Sequence, residues 1–158
     1  MRKRLYRGRE IKTKIWRFGY YAGIWKFDDN EYAKIIDSET AKEYYVEIET
    51  VGRNTDLADG NGENIFEGDI VQFLDSKGLI TNEVAAFGIC FDNTINWDKI
   101  EKEIPIYTGC NNCCSACYND NFISLWEIFW NFNEYENLEI IEVIGNIHDN
   151  PELLEESK

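Results

Sequence analysis

Between Val51 and Val71 the chain reads VGRNTDLADGNGENIFEGDIV, and it must reverse direction twice there. Asp59-Gly60-Asn61-Gly62 and Glu67-Gly68-Asp69 are turn clusters on either side of the apolar pair Ile65-Phe66. Glycine and asparagine accept positive φ, so Gly60, Asn61 and Gly62 predict one or two tight reversals. Asp69 is placed to accept hydrogen bonds from backbone amides where the strand Ile70–Leu74 begins. Two reversals this close together belong to small β-domains with short loops.

The rest of the chain reads as strands of the same kind. From Trp16 the residues alternate, with Trp16, Phe18 and Tyr20 on one face and Arg17 and Gly19 on the other. Asp28-Asp29-Asn30 predicts the turn of a hairpin between Tyr21–Phe27 and Tyr32–Ile36. Tyr44, Val46, Ile48 and Thr50 alternate with Tyr45, Glu47 and Glu49, which predicts a half-buried strand with one acidic face. Beyond the central motif, Ile70–Leu74 and Leu79–Phe91 read as strands joined by a Ser76-Lys77-Gly78 turn, with Gly88 at a bulge. Phe122–Phe132 does not alternate. Its polar residues Ser124, Glu127 and Asn131 recur at helical spacing and predict a helix capped by Asp120 or Asn121. Leu138–Ile147 is the last expected strand, with Ile141, Val143 and Ile147 inside. Asn150 then caps a terminal turn with Pro151 at its first helical position. The expectation is a mainly β domain.

Three stretches carry a family resemblance. The central motif, the turn followed by IFEGDIV, is similar to that of the YopX family of phage and prophage proteins. Glu142–Leu154, EVIGNIHDNPELL, resembles that family's C-terminal signature, including Gly145, Asn146, Asn150 and Pro151. Tyr6-Arg7-Gly8-Arg9 and Trp16–Tyr21 are a weaker echo of its opening strand. Lys14-Ile15 stands where the family usually has Gly before the Trp, and Ile95–Asn137 has no counterpart. The resemblance implies an SH3-type small β-barrel for residues 56–154, carrying a short helical insertion at about 95–137. An N-terminal β-hairpin or meander portion over 1–55 completes one YopX-like domain. It supplies no mechanism.

Charge is unevenly placed. Residues 1–17 hold eight Lys or Arg against Glu10, a local +7, which leaves −21 on the remainder of a chain whose net charge is −14. Direct nucleic-acid binding by the whole chain is disfavoured at that charge. The basic leader is expected to fold back on its own body, because the aromatic residues of Tyr6–Tyr21 need somewhere to pack. No apolar run is long enough to span a membrane and no signal-peptide pattern is present. Five cysteines without secretory features suggest reduced thiols, and hence the cytoplasm of a bacterial host.

Three groups of residues raise the question of chemistry. Cys110, Cys113, Cys114 and Cys117 form two adjacent C-x-x-C units, a density that suits zinc. Four sulfurs from so short a segment would strain the loop around a tetrahedral ion, and a set completed by Cys90 or His148 is the other arrangement. The bland reading is a reduced, thiol-rich loop with no resident cofactor. Glu67 and Asp69 with His148 resemble an acid–base set, yet Asp69 at a turn serves the backbone, and no nucleophile elbow or phosphate-binding loop is present. Trp126, Phe129 and Trp130 are either core or an interface patch. The sequence therefore predicts a non-enzymatic binding or assembly module with a protein partner or self-association, including a homo-oligomer. The alternatives are a zinc-thiolate protein with the Cys loop as contact surface, or an acidic decoy for a host nucleic-acid-binding protein.

Overall fold

The computed structural model describes residues 5–73, 76–83, 86–91, 122–125, 128, 137–138 and 140–155. The chain is mainly β, and its two compact units divide between Asp56 and Leu57.

In the N-terminal unit β1 (Tyr6–Arg9), β2 (Trp16–Phe27), β3 (Asn30–Ile36), β4 (Glu43–Val46) and the start of β5 (Gly52–Asp59) form an antiparallel sheet. Their order is β5-β1-β2-β3-β4. The expected β2–β3 hairpin is present. Asp28 and Asp29 take φ of 46° and 67°, the consecutive left-handed pair that suits the strands' twist. A register shift between Tyr21 and Ile24 bends β2. The sheet curls until Val46 meets Glu10 in an isolated bridge. There Glu47 N donates to Arg9 O at 2.9 Å and Ile11 N to Tyr45 O at 3.2 Å. Ala33, Ile35 and Val46 are fully buried inside the curl, flanked by Tyr6, Tyr44, Ile48 and Val51.

The strand expected over Tyr44–Thr50 is shorter. It ends at Val46, and Ile48–Thr50 is a 3-10 turn. Thr50 is the reason: its hydroxyl donates to Glu47 O at 2.6 Å and accepts from Arg9 N at 2.9 Å, giving the backbone an alternative to the ladder. The described part of the basic leader folds onto its own unit. Glu47 accepts from Lys14 Nζ at 2.5 Å and Arg9 Nε at 2.7 Å, and Arg17 Nε reaches Glu10 at 2.7 Å. Arg7 lies over the Trp16 ring and Arg17 over Tyr44.

The hydrogen bonds from Lys14 and then Arg9 hold the Glu47 carboxyl below the usual carboxylate range. Its stabilising contribution is therefore complete above the unfolded-state value and is lost as pH falls through the lower folded one. Glu47→Gln should flatten that acid limb, removing about 1 kcal/mol or less, as for other pairs near a surface. Melting temperature measured from neutral pH into the acid range for both proteins checks this; parallel curves would contradict it.

In the C-terminal unit β7 (Asp69–Phe73), β8 (Ser76–Glu83), β9 (Ala86–Phe91), β10 (Phe122–Ser124) and β12 (Ile141–Asn146) form a second antiparallel sheet, ordered β10-β9-β8-β7-β12. β6 (Asn64–Phe66) pairs with the end of β5, and β11 (Asn137–Leu138) lies parallel to Ala58–Asp59. Glu152–Glu155 forms a short helix, α1. The core joins Ile65, Val71, Phe73, Ile80, Ile89, Phe91, Leu125, Ile128 and Ile141. Among the described residues no closed barrel forms.

Several local expectations are corrected here. Ser76–Gly78 is not a turn but the first part of β8, and Leu79–Phe91 is two strands, with the reversal between Glu83 and Ala86. Gly78 serves packing: a Cβ there would lie 2.3 Å from Ile89 Cγ2. Gly88 sits in regular register opposite Thr81 and makes no bulge. Phe122–Ser124 is a strand paired with Gly88–Cys90, and Leu125 and Ile128 are helical. Pairing with β9 overrides the local pattern, which is too short to show alternation. The last strand begins at Ile141, and a register shift between Val143 and Gly145 breaks its alternation. Ile141 is buried, whereas Val143 and Ile147 are half-buried.

Gly68 turns the chain between Phe66 and Asp69 with φ of 94°. Its N–H donates to Ile80 O and its carbonyl accepts from Ile147 N, both at 2.9 Å. A β-branched residue cannot adopt that backbone without strain, so Gly68→Val should cost about 1–3 kcal/mol. Thermal unfolding within a degree of the wild type would contradict it.

Candidate functional site

The two family-like stretches meet in the C-terminal unit, and their polar residues serve the backbone. Asp59 is fully buried. One carboxylate oxygen accepts from Asn61 N at 3.0 Å and Glu63 N at 2.9 Å, and the other from Val143 N at 2.9 Å. Gly60 N donates to Ile141 O at 3.1 Å. Gly62 has φ of 83°. β12 ends its sheet, so its outward backbone groups would otherwise lack partners. The turn at Asp59–Gly60 supplies two.

Asp69 is likewise buried and accepts from Phe66 N at 2.8 Å. Asn146 Oδ1 accepts from His148 N and Asp149 N, folding the signature back on itself. Asn150 uses its side chain toward Asn146 N at 3.3 Å rather than as a helix cap, while its carbonyl accepts from Leu153 N. The helix begins at Glu152, one residue after Pro151. A Cβ on Gly145 would lie 2.6 Å from Asn150 Oδ1, so the glycine lets this turn close against the strand. These residues form a structural latch: both oxygens of Asp59 and Oδ2 of Asp69 accept from main-chain amides, which leaves them poorly placed for proton transfer.

Cys110, Cys113, Cys114 and Cys117, and Trp126, Phe129 and Trp130, lie outside the described residues. Among the described residues no three His, Cys, Asp or Glu side chains gather as a metal site requires. No described helix is long and apolar enough to cross a membrane.

The surface that the sequence reading missed is in the N-terminal unit. The register places Trp25 opposite Tyr32, Phe27 opposite Asn30 and Lys34 opposite Tyr45. Alternation puts Ala33 and Ile35 inside, so Trp25, Phe27, Tyr32, Lys34 and Tyr45 share the outer face. The ring centroids of Phe27, Tyr32 and Tyr45 lie 5.6–6.3 Å apart. Lys34 Nζ sits 3.9 Å from the Trp25 ring centre and 5.5 Å from that of Tyr45, and 3.4 Å from Glu43 Oε1. Trp25 is 43% and Phe27 47% exposed. The signal was available: once Asp28-Asp29 is read as a two-residue hairpin turn, Trp25 and Tyr32 must face the same side.

The charges divide with the units. Residues 1–56 carry twelve Lys or Arg against ten acids, whereas residues 57–158 carry four against twenty. Fold and surface define a mainly β chain with its polar signature residues turned to backbone support. A family model described as YopX protein matches residues 5–155. The chain belongs to the YopX family. No curated protein matches it.

Proposed function

We propose that this chain is a phage- or prophage-encoded, non-catalytic binding and assembly module, acting in the cytoplasm of its bacterial host on a protein partner or on further copies of itself. The observation that carries this reading is the outer face of β2–β4, where Trp25, Phe27 and Tyr45 stand exposed around a lysine that is already satisfied. Large aromatic residues in solvent are costly unless a contact covers them, and they are enriched at interface centres. The engagement of Asp59 and Asp69 with the backbone supports a non-catalytic role. For residues 56–154 we infer an SH3-type arrangement. The short turns at Gly60–Gly62 and Glu67–Gly68, and the Gly60 amide that meets the free edge of β12, support it.

The test is a pull-down from bacterial lysate beside sedimentation, using wild type and the Trp25→Ser/Phe27→Ser double variant, with circular dichroism to verify folding. A partner or oligomer held by the wild type and lost from the folded variant is expected. Equal capture by both, or neither a partner nor self-association, would overturn the reading.

A further inference from the structure

A cleft of about 380 Å³ opens where the outer face meets the edge of β4. Phe27, Tyr32, Tyr44 and Tyr45 line it together with the carboxylates of Glu10 and Glu43. Building on the binding role proposed above, we propose that this cleft receives a basic, extended segment of a partner protein. The segment lies along β4 with a lysine or arginine side chain against the aromatic rings and Glu43.

The backbone supplies the first argument. Asp37 N donates to Lys42 O, and with the β3–β4 register this makes Ile35–Tyr44 and Ala33–Val46 the hydrogen-bonded pairs. The main-chain groups of Glu43 and Tyr45 therefore point away from β3. Tyr45 O is met by Ile11 N, but the chain then turns at Ile11–Thr13. Among the described residues nothing bonds the Glu43 N–H and C=O or the Tyr45 N–H. An open edge of this kind accepts an extended peptide by strand addition.

Side-chain chemistry supplies the second. The protein already places its own cations over these rings: Arg17 Cζ is 4.1 Å from the Tyr44 ring centre and Lys34 Nζ 5.5 Å from that of Tyr45. A ring face attracts a cation through its quadrupole. The Glu43 side chain is 55% exposed and its contact with Lys34 is long, so it retains acceptor capacity. Asp28 and Asp29, next along the chain from Phe27, add negative charge at the hairpin tip. Of the cations at the cleft, Arg17 is paired with Glu10 and Lys34 with Glu43, while Lys12 lines it exposed.

The experiment measures fluorescence anisotropy of two dye-labelled synthetic peptides, one alternating Arg with Val and one alternating Glu with Val. Each is titrated with wild type and with the Phe27→Ala/Glu43→Gln double variant, whose fold is verified by circular dichroism. The basic peptide should bind the wild type, weaken about tenfold or more on the variant and weaken further with added salt; the acidic peptide should not bind. Equal binding of the basic peptide to both proteins would place it on the acidic C-terminal unit and overturn the proposal. So would binding of the acidic peptide, absence of binding by either, or a dimer in sedimentation that the double variant abolishes. A lysate partner lost from Trp25→Ser/Phe27→Ser without any binding of the basic peptide would sink this inference and leave the binding role standing.

Discussion

Replacing Asp59 by Ala is expected to cost about 3–5 kcal/mol, a large part of the stability of an ordinary domain. The side chain is fully buried, and its two oxygens accept three main-chain N–H groups, from Asn61, Glu63 and Val143. Alanine removes the acceptors of three part-buried hydrogen bonds and leaves their donors without this partner. Asp59→Asn retains one acceptor and turns an amide toward a backbone donor, so its loss should be smaller, about 2 kcal/mol. Urea unfolding followed by circular dichroism separates the two. An alanine variant within about 1 kcal/mol of wild type would mean that water replaces the carboxylate and that the latch is not as described.

Gly19→Ala should cost about 2–4 kcal/mol and act in the other unit. A Cβ there would lie 2.0 Å from the carbonyl oxygen of Ile36, 2.7 Å from its carbon and 3.0 Å from Asp37 Cα. All three are backbone atoms and cannot rotate aside, so the β2–β3 ladder itself must move. Gly23→Ala is the control. Gly23 has φ of 89° and nothing within 4 Å, so alanine there meets only the left-handed penalty of about 1–2 kcal/mol. Amide exchange across β2 and β3 should quicken far more for Gly19→Ala than for Gly23→Ala. Equal exchange in the two would show that backbone conformation, not crowding, governs this sheet.

What the sequence disclosed was local. Turn chemistry at Asp28-Asp29 and Glu67-Gly68-Asp69 is written in adjacent residues, and both turns occur where expected. Features that depend on distant partners were not readable. Asp59 looked like a turn residue, and nothing near it announces that Val143 will use its second oxygen. Phe122–Ser124 becomes a strand because β9 offers an edge, not because of its own pattern. Gly78 resembled a turn glycine, although its constraint comes from Ile89 across the sheet. The aromatic face was partly legible, since the Asp28-Asp29 turn sets Trp25 opposite Tyr32. Tyr45 joins it only through the pairing of β3 with β4, which no adjacent residues announce.

The bond from Val143 to Asp59 joins residues 84 positions apart in the chain, and this has a kinetic meaning. During synthesis the Asp59 turn can form its local bonds early, but one carboxylate oxygen waits until Val143 has emerged. Closing so long a loop must precede any reward from the contact, which slows folding. The central motif should therefore remain a late-maturing segment of the nascent chain, and β7 would wait beside it with one edge exposed until β12 arrives. A chaperone that shields strand edges would find its target in that interval.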